Sequence, residues 1–285
     1  MDFSSIFDID NNAAFEKKAL DIFKFQFENN SLYRSFCDLL YKHPSDVQAI
    51  QDIPFLPIEF FKTHSVLSSK AAIEQTFSSS GTTDSITSQH HITDLKVYKN
   101  SFIKGFEGVY GCIEDFTILA LLPSYLERKG SSLVYMVDDM IKKSGHPKSG
   151  FYLDDLKGLR DTLLKLEATG QKTLLIGVSY ALLDLIEFHQ FELKHTLVME
   201  TGGMKGRRKE LIKSELHALL KKGFGLETIH SEYGMTELLS QAYSIRDGLF
   251  STPPWIQILI RDPEDPFKIL KEGKSGGINV IDLAN

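Results

Sequence analysis

The chain has 285 residues, of which 42% are hydrophobic and 25% are charged, so it is long enough to build a large folded core. Its net charge of -6 gives no electrostatic reason to expect nucleic acid or an anionic membrane surface as a partner. The N-terminus lacks the features of a signal peptide, and no run approaches the ~18 apolar residues of a membrane span. Cys37 and Cys112 are too few for a disulfide framework, so we expect buried free thiols and a cytoplasmic protein.

Residues 1–52 are predicted to form a helical lead-in. Apolar side chains recur at helical spacing from Phe15 to Phe27, and the pattern resumes in a second helix from Leu32 to Leu40. Residues 53–57, Ile-Pro-Phe-Leu-Pro, are a connector, because each proline holds the preceding residue in an extended conformation.

Residues 53–252 are predicted to form an α/β core. Short apolar runs typical of buried parallel strands alternate with segments of helical periodicity. The predicted strands are 73–77, 116–122, 173–176, 196–199 and 226–229, and the predicted helices are 153–166, 180–188 and 208–220. Because ligands bind beyond the carboxyl ends of strands in an open sheet, we expect the motifs that follow these strands to share one edge.

The helical patterns stop after Thr252-Pro253-Pro254, and residues 253–285 are predicted to form a small β-rich part. Its strands are expected at 255–260, 267–270 and 277–283, arranged as an antiparallel ribbon or the edge of a barrel.

A run of hydroxyl side chains surrounds one glycine at residues 78–83, Ser-Ser-Ser-Gly-Thr-Thr. Backbone N–H groups and hydroxyls in such a run can converge on phosphate oxygens, and Gly81 lets the backbone approach the ligand closely. Taken alone, the same run would also suit a solvated loop. The residues predicted to bind nucleotide phosphates are Ser79, Ser80, Gly81, Thr82 and Thr83.

A second motif, Ser-Glu-Tyr-Gly-Met-Thr-Glu, occupies residues 231–237. The Tyr233 ring can stack on a base, the Thr236 hydroxyl can donate to a phosphate, and Glu237 can hold a hard cation such as Mg²⁺. The same residues would suit an ordinary turn into a helix, with Thr236 as the N-cap. The residues predicted to contact the nucleotide are Ser231, Glu232, Tyr233, Gly234 and Thr236.

Together with Glu-Thr-Gly-Gly-Met-Lys-Gly at residues 200–206, the two motifs resemble those of the adenylate-forming superfamily of acyl-CoA synthetases and luciferase-like ligases. Within it, residues 121–125, 131–136 and 201–206 are most similar to the LuxE-type acyl-protein synthetases. The resemblance extends from Ile53 to the C-terminus. It implies the large N-terminal domain of such an enzyme, with mixed sheets covered by helices and a small β-rich C-terminal part.

The resemblance also implies a role for each motif. Gly202 and Gly203 would form a turn along adenine, Tyr233 would stack on its other face, and Glu237 would be the Mg²⁺ ligand. The residues implied for catalysis are Thr82, Thr236 and Glu237. Those implied for the acyl pocket are Tyr125, Ser132, Met136 and Ser179.

The predicted reaction is the activation of a carboxylic acid, which is a poor electrophile until it carries a better leaving group. Transfer of AMP from ATP supplies one, and donors around Gly81, the Thr236 hydroxyl and Mg²⁺ on Glu237 would stabilise the negative charge that develops. We therefore expect an AMP-forming ligase that uses ATP, Mg²⁺ and a small carboxylic acid, with CoA or a protein thiol as the acyl acceptor. The family's small mobile C-terminal domain has no counterpart up to Asn285.

One residue departs from the family's pattern, because Asp84 stands where a second glycine is usual. A carboxylate there repels a polyphosphate unless it turns away or faces Mg²⁺. Two basic features have structural interpretations: His90 and His91 would point to opposite faces of a strand, and residues 206–209 would form a solvated first turn of a helix.

Two alternative functions stay open. Residues 177–181, Gly-Val-Ser-Tyr-Ala, lie between a predicted strand and a helix and approximate the nucleophile elbow of α/β hydrolases. Ser179 would then be the nucleophile of an esterase or thioesterase, with His230 as a conceivable base. The third alternative is a nucleotide-binding protein without catalysis.

Overall fold

A computed structural model of the chain describes residues 4–79, 86–122, 130–204 and 207–285. The chain divides into two compact units. The first consists of Met1–Ser101, Met235–Ser240 and Thr252–Asn285, and the second of Phe102–Gly234 and Gln241–Ser251. Within residues 4–79, 86–122, 130–204 and 207–285, no helix has the length and apolar character that crossing a membrane requires.

The first unit begins with helices α1 (Asn12–Asn29) and α2 (Ser31–Leu39), followed by the single turn α3 (Phe60–Thr63). Both long helices were predicted and are confirmed. The side chains of Asn11 and Asn30 cap them by accepting hydrogen bonds from the amides of Ala14 and Tyr33. The apolar faces meet in a cluster that contains Phe23, Phe27, Tyr33, Cys37 and Val47.

Two antiparallel hairpins complete the first unit. Strand β1 (Gln75–Ser78) pairs with β2 (Gln89–Ile92), and β9 (Ile256–Arg261) pairs with β10 (Gly277–Asp282). The antiparallel C-terminal ribbon was predicted, but the strand expected at 267–270 is wrong. Ile269 makes only an isolated bridge to Arg261 there.

The second unit is built around a six-stranded sheet of order β4-β3-β5-β6-β7-β8. All neighbours are parallel except β7 and β8, so the mixed α/β architecture predicted from the sequence is confirmed. Its strands are β3 (Thr117–Leu121), β4 (Gly150–Phe151), β5 (Thr173–Val178), β6 (Thr196–Thr201), β7 (His230–Tyr233) and β8 (Ala242–Ser244). Its helices are α5 (Ser132–Ser144), α6 (Leu156–Ala168), α7 (Ser179–Phe188) and α8 (Lys213–Phe224), and α4 (Leu95–Tyr110) leads into the unit. Short 3-10 helices lie at Ser4–Asp8, Pro44–Asp46, Ile50–Asp52 and Ile113–Asp115.

The parallel strands are apolar throughout because helices cover them. Every residue of β3 and β5 is buried, as the continuous apolar runs indicated. Helix α7 begins directly after β5, and a Cβ atom on Gly177 would lie 2.8 Å from the Leu182 side chain. The glycine is therefore needed where the strand turns into the helix.

Three sequence predictions about this architecture are wrong. The strand expected at 226–229 is instead His230–Tyr233, because α8 runs to Phe224 and Gly225 then turns the chain in a left-handed conformation. Strand β1 pairs only with β2 among the described residues, so it is not a strand of the six-stranded sheet, and the three motifs do not share one sheet edge. Cys112 is a free thiol as expected but is exposed, because it follows the turn at Gly111 that ends α4.

Candidate functional site

The Gly202-Gly203 turn and Tyr233 lie at the ends of neighbouring parallel strands in the second unit. Met199 pairs with His230 and Glu200 with Ser231 in the β6–β7 register. Both strands therefore reach the same edge of the sheet together, where ligands bind in open α/β sheets. The shared edge predicted for these two motifs is confirmed.

Hydrogen bonding ties the two strand ends together. The Thr201 hydroxyl donates to Glu232 Oε2 at 2.5 Å, which links the residue before the glycine turn to the residue before Tyr233. Gly202 has a φ of 65°, a conformation that favours glycine. A Cβ on Gly203 would meet no atom within 4 Å, so there is open space above this peptide.

Tyr233 presents its ring to solvent at this edge, with 48% of the residue exposed. The Phe250 ring contacts it edge to face at 6.0 Å. Ser231 and Glu232, which were predicted to contact the nucleotide, have buried side chains, whereas Gly234 is exposed. The exposed part of the motif in this unit is therefore Tyr233 and Gly234.

A buried charged network lies beneath the glycine turn. Glu200, only 1% exposed, accepts hydrogen bonds from Ser179 at 3.2 Å and from Lys213 at 2.5 Å. His217 Nε2 lies 3.4 Å from its carboxylate. Burial pushes the pKa of Glu200 upward, but hydrogen bonds from His217, Lys213 and Ser231 outweigh it and hold the pKa below its ordinary value.

The neighbouring Glu232 behaves in the opposite way. Burial raises its pKa to about 7, the Thr201 hydrogen bond opposes that shift, and the charge of Glu200 adds to it. The pKa values of the two carboxylates at the ends of β6 and β7 are therefore shifted in opposite directions. A Cβ on Gly234 would lie 2.7 Å from Glu232 Oε1, so this glycine admits the carboxyl group.

The chain passes into the first unit at Met235, and the rest of the second motif forms a turn there. Leu238 N donates to Met235 O at 3.2 Å, and the described chain enters no helix before β8. The alternative in which Thr236 caps a helix is therefore wrong. A structural role as a helix cap does not explain Thr236 and Glu237.

Two side chains hold the carbonyl groups of this turn. His90 Nδ1 lies 2.8 Å from Thr236 O, and Asn285 Nδ2 donates to Glu237 O at 2.7 Å. Burial lowers the pKa of His90, although its hydrogen bonds with Thr236 and Asn285 oppose the shift. His90 is buried and His91 is not, as expected for neighbours on a strand, but the contact with Thr236 was not predicted. The burial of His90 could have been inferred from its alternation with Ile92 on one face of β2.

The Glu237 carboxylate suits a hard cation. The residue is 9% exposed, and within the described ranges no hydrogen bond or ion pair reaches its carboxylate. Its charge interacts with the His90 ring and favours the protonated form of that ring. An anionic carboxylate oxygen on a largely buried residue is the type of ligand that Mg²⁺ prefers.

Asp282 anchors the segment that follows the turn. Its carboxylate accepts hydrogen bonds from the amides of Leu239, Ser240 and Ala284 and from the Ser240 hydroxyl. Burial nevertheless raises its pKa. This anchor was not predicted, because a single aspartate near the end of an apolar strand gives no sequence signal.

The Ser/Thr loop begins at a closed hairpin base in the first unit. Ser79 N donates to Ser88 O at 3.1 Å, and Ser88 N donates to Ser79 Oγ at 2.9 Å. Ser80, Gly81, Thr82 and Thr83, together with Asp84, lie outside the described residues. Beside this hairpin is a cavity of about 500 Å³, lined by Phe61, Lys62, Thr63, His64, Ser65, Ile86, Thr87, Gln89 and His91.

The predicted acyl-pocket residues are placed on two helices of the second unit. Ser132 is the first residue of α5, and Met136 is buried one turn later on the same face. Ser179 is the buried first residue of α7, and Tyr125 lies outside the described residues. Ser179 Oγ donates to the Glu200 carboxylate and lies 3.4 Å from Gly202 O, and this pairing is not the serine–histidine pair of a hydrolase.

The basic segment before α8 does not form the first turn of a helix. Arg208 makes ion pairs with Asp184 and Glu187 of α7, and Arg207 lies over the Tyr180 ring at 5.0 Å. Helix α8 starts only at Lys213. The predicted solvated helical turn is therefore wrong, and Arg208 fastens this segment to α7.

Comparison with known proteins agrees with the geometry. The sequence model of the LuxE acyl-protein synthetase family matches residues 6–125, which include the β1–β2 hairpin and the Ser/Thr loop. The chain resembles the LuxE acyl-protein synthetases. A comparison with curated protein sequences gave no significant match.

Solved structures of acyl-CoA ligases share the fold. A 2-hydroxyisobutyryl-CoA ligase in an open conformation, bound to 2-HIB-AMP and CoA, aligns with a TM-score of 0.70 and 11% identity over 95% of this chain and 61% of that chain. The same ligase in the thioesterification state aligns with a TM-score of 0.66 and 11% identity, over 95% of this chain and 60% of that chain. The O-succinylbenzoate CoA synthetase of Bacillus subtilis, bound to AMP, aligns with a TM-score of 0.52 and 16% identity, over 77% of this chain and 43% of that chain.

These alignments establish that the chain has the fold of these acyl-CoA ligases. The chain spans about 61% of the length of the 2-hydroxyisobutyryl-CoA ligase and less of the Bacillus subtilis synthetase. The architecture implied by the sequence resemblance is thereby confirmed.

Proposed function

We propose that the chain activates a small carboxylic acid as an acyl-adenylate, using ATP and Mg²⁺, and that the acyl group then passes to a thiol. The observation that carries this proposal is the register of β6 and β7, which sets the Gly202-Gly203 turn beside Tyr233. The match to the LuxE family and the fold shared with adenylate-forming ligases support it.

Adenine is assigned to the edge formed by the two strand ends. A half-exposed Tyr233 ring offers a stacking surface, and the open space above Gly203 accepts a flat ligand. The phosphates are assigned to the loop at residues 79–83 and to the Thr236 hydroxyl. The Mg²⁺ ligand is Glu237, whose shielded carboxylate fits a hard cation.

The first chemical step needs no general base, because a carboxylic acid is already ionised near neutral pH. A carboxylate oxygen of the substrate attacks the α-phosphorus of ATP, the bond to the bridging oxygen breaks, and pyrophosphate leaves. Hydroxyl and amide donors of the Ser/Thr loop and Thr236 stabilise the charge on the phosphoryl oxygens. Mg²⁺, when bound, supplies Lewis-acid stabilisation of the same charge.

The second step transfers the acyl group. A thiolate attacks the acyl carbon of the adenylate, the carbon–oxygen bond to the phosphate breaks, and AMP leaves. The acceptor is CoA or a protein thiol: the solved ligases carry CoA or are CoA synthetases, whereas the LuxE family is one of acyl-protein synthetases. The acyl pocket is assigned to Tyr125, Ser132, Met136 and Ser179.

The proposal includes a division into a helical lead-in at 1–52, an α/β core at 53–252 and a β-rich part at 253–285. It also includes a cytoplasmic location, which the free thiols Cys37 and Cys112 support because a reducing compartment keeps thiols unpaired. Neither nucleic acid nor membrane is a proposed partner.

Titration calorimetry with ATP in the presence and absence of Mg²⁺ tests the nucleotide assignment. We expect binding of the Mg²⁺ complex at millimolar or lower concentration and weaker binding without the cation. Failure to bind ATP at millimolar concentration would contradict the proposal. GTP is the matched control, since a slot made for adenine should bind it less tightly.

A further inference from the structure

We propose that His90 is a positioning residue for the cation site, acting together with Asn285 on the turn that carries Thr236 and Glu237. The inference rests on the proposed function, because it assigns a role toward the Mg²⁺ complex of ATP. His90 lies far from the motif in sequence and belongs to none of the nucleotide-binding segments, so no motif identifies it.

The geometry places two donors on two successive carbonyl groups. His90 Nδ1 faces Thr236 O at 2.8 Å, and Asn285 Nδ2 donates to Glu237 O at 2.7 Å. The Asn285 side chain also opposes the lowering of the His90 pKa, so the two side chains lie close together. The two side chains therefore form one unit, here called the carbonyl clamp, within the first compact unit of the chain.

The contact fixes the tautomer of the imidazole. A carbonyl oxygen only accepts hydrogen bonds, so the proton of the neutral ring must be on Nδ1. His90 is 5% exposed, and the Phe61 ring contacts it edge to face at 5.5 Å, which prevents the imidazole from turning away. The Nδ1–H group of His90 is thus buried and held in an orientation that donates to Thr236 O.

The clamp controls where the side chains of the turn point. With both carbonyl groups held, the backbone between Thr236 and Glu237 cannot rotate its peptide plane, and the hydroxyl and carboxylate leave that backbone in fixed directions. Partners that hold a metal ligand in place usually change metal affinity by about 10–100-fold when removed. Loss of the clamp should therefore weaken the cation complex without removing any group that touches it.

Substitutions that move a single donor test the role. In His90→Asn, the amide nitrogen occupies nearly the place of Nδ1 and keeps the bond to Thr236 O, whereas in His90→Gln it lies near the place of Nε2 and loses that bond. His91→Gln is the matched control, since His91 is the neighbouring residue and its Nδ1 bonds to Thr76 instead. Asn285→Ala removes the second donor of the clamp.

The readout is the affinity for Mn²⁺, measured by electron paramagnetic resonance in the presence of a non-hydrolysable ATP analogue, with melting temperatures recorded alongside. We expect His90→Gln and Asn285→Ala to weaken Mn²⁺ binding by about tenfold or more, and His90→Asn and His91→Gln to bind like the parent. Parental Mn²⁺ affinity in both His90→Gln and Asn285→Ala would overturn the role of His90 and leave the proposed function standing. An equal loss of Mn²⁺ affinity in His90→Asn and His90→Gln would do the same. If His90→Gln does not fold, Asn285→Ala against the parent decides it. No binding by the parent would overturn the proposed function and the inference with it.

Discussion

Tyr233 is the residue through which the adenine assignment is tested most simply. Its ring is half exposed and makes an edge-to-face contact with Phe250, so part of the ring surface is open to a base. Base–aromatic stacking is worth about 1–3 kcal/mol, and Tyr233→Ala should weaken ATP binding by that amount in titration calorimetry. Tyr233→Phe retains the ring and should bind nearly as tightly as the parent. Equal affinities for parent and Tyr233→Ala would remove Tyr233 from the adenine site.

Glu232 should make the stability of the protein depend on pH. Its pKa is about 7 in the folded chain but near its ordinary value of 4.5 when unfolded, so the folded state holds an extra proton between these two values. The stability linked to this proton is complete below pH 4.5 and is lost as the pH rises to 7. Glu232→Gln removes this titrating group. As the pH rises from 4.5 to 7, the free energy of unfolding of the variant should therefore increase relative to that of the parent.

Urea unfolding of parent and Glu232→Gln at pH 5, 6, 7 and 8 measures this difference directly. One pKa unit corresponds to about 1.4 kcal/mol, and we expect the gain from pH 5 to pH 7 to reach about 1–3 kcal/mol, with little change from pH 7 to 8. Parallel pH curves for the two proteins would show that Glu232 does not carry the effect.

At the level of single residues, the sequence predicted the groups that face solvent at a strand end but not the groups that support them. Tyr233 and the Gly202-Gly203 turn each belong to a local sequence motif, so the residues adjacent to them in the sequence identify them. His90 and Asn285 act on Thr236 and Glu237 across long separations in sequence, and such contacts depend on tertiary packing. Glu200, Lys213 and His217 likewise meet only because β6 and α8 pack together.

At the level of elements, Gly223 shows how closely α7 and α8 approach. A Cβ on Gly223 would lie 2.5 Å from the Ile186 Cβ, so the helices must separate to admit a methyl group. Gly223→Ala should lower the free energy of unfolding by about 1–3 kcal/mol. Gly108→Ala, in α4, is the control because its Cβ would meet nothing within 4 Å. It should stabilise the protein by up to about 1 kcal/mol, as alanine does in a helix. Urea unfolding measures both, and a Gly223→Ala variant as stable as the parent would contradict this packing.

The elements that the sequence predicted best are those with one strong periodicity. Helix α1 has a single apolar face and strands β3 and β5 are apolar throughout, and their positions were found within a few residues. The region before β7 misled the prediction because Leu226-Glu227-Thr228-Ile229 has the composition of a strand. These four residues instead form irregular chain between the turn at Gly225, which ends α8, and strand β7, which consists of the more polar residues that follow.

At the level of the whole molecule, the chain crosses between its two compact units within the second motif. Tyr233 and Gly234 belong to the second unit, whereas Thr236 and Glu237 belong to the first. Sequence periodicity could not predict this division, because it follows from long-range contacts and not from any break in composition. The likeness to larger adenylate-forming ligases covers 95% of this chain but 61% of the 2-hydroxyisobutyryl-CoA ligase.

The proposed reaction is the activation of a carboxylate with ATP and Mg²⁺. It can be measured on the intact protein as carboxylate-dependent exchange between ATP and labelled pyrophosphate, with a panel of fatty, aryl and amino acids. We expect exchange with at least one acid class. Glu237→Gln keeps the shape of the side chain but loses its charge, so it should lower that exchange by a large factor with a nearly unchanged melting temperature. Absence of exchange with every acid despite ATP binding would contradict the proposed activation of a carboxylate, and a parental rate in Glu237→Gln would contradict the role of Glu237 as the Mg²⁺ ligand.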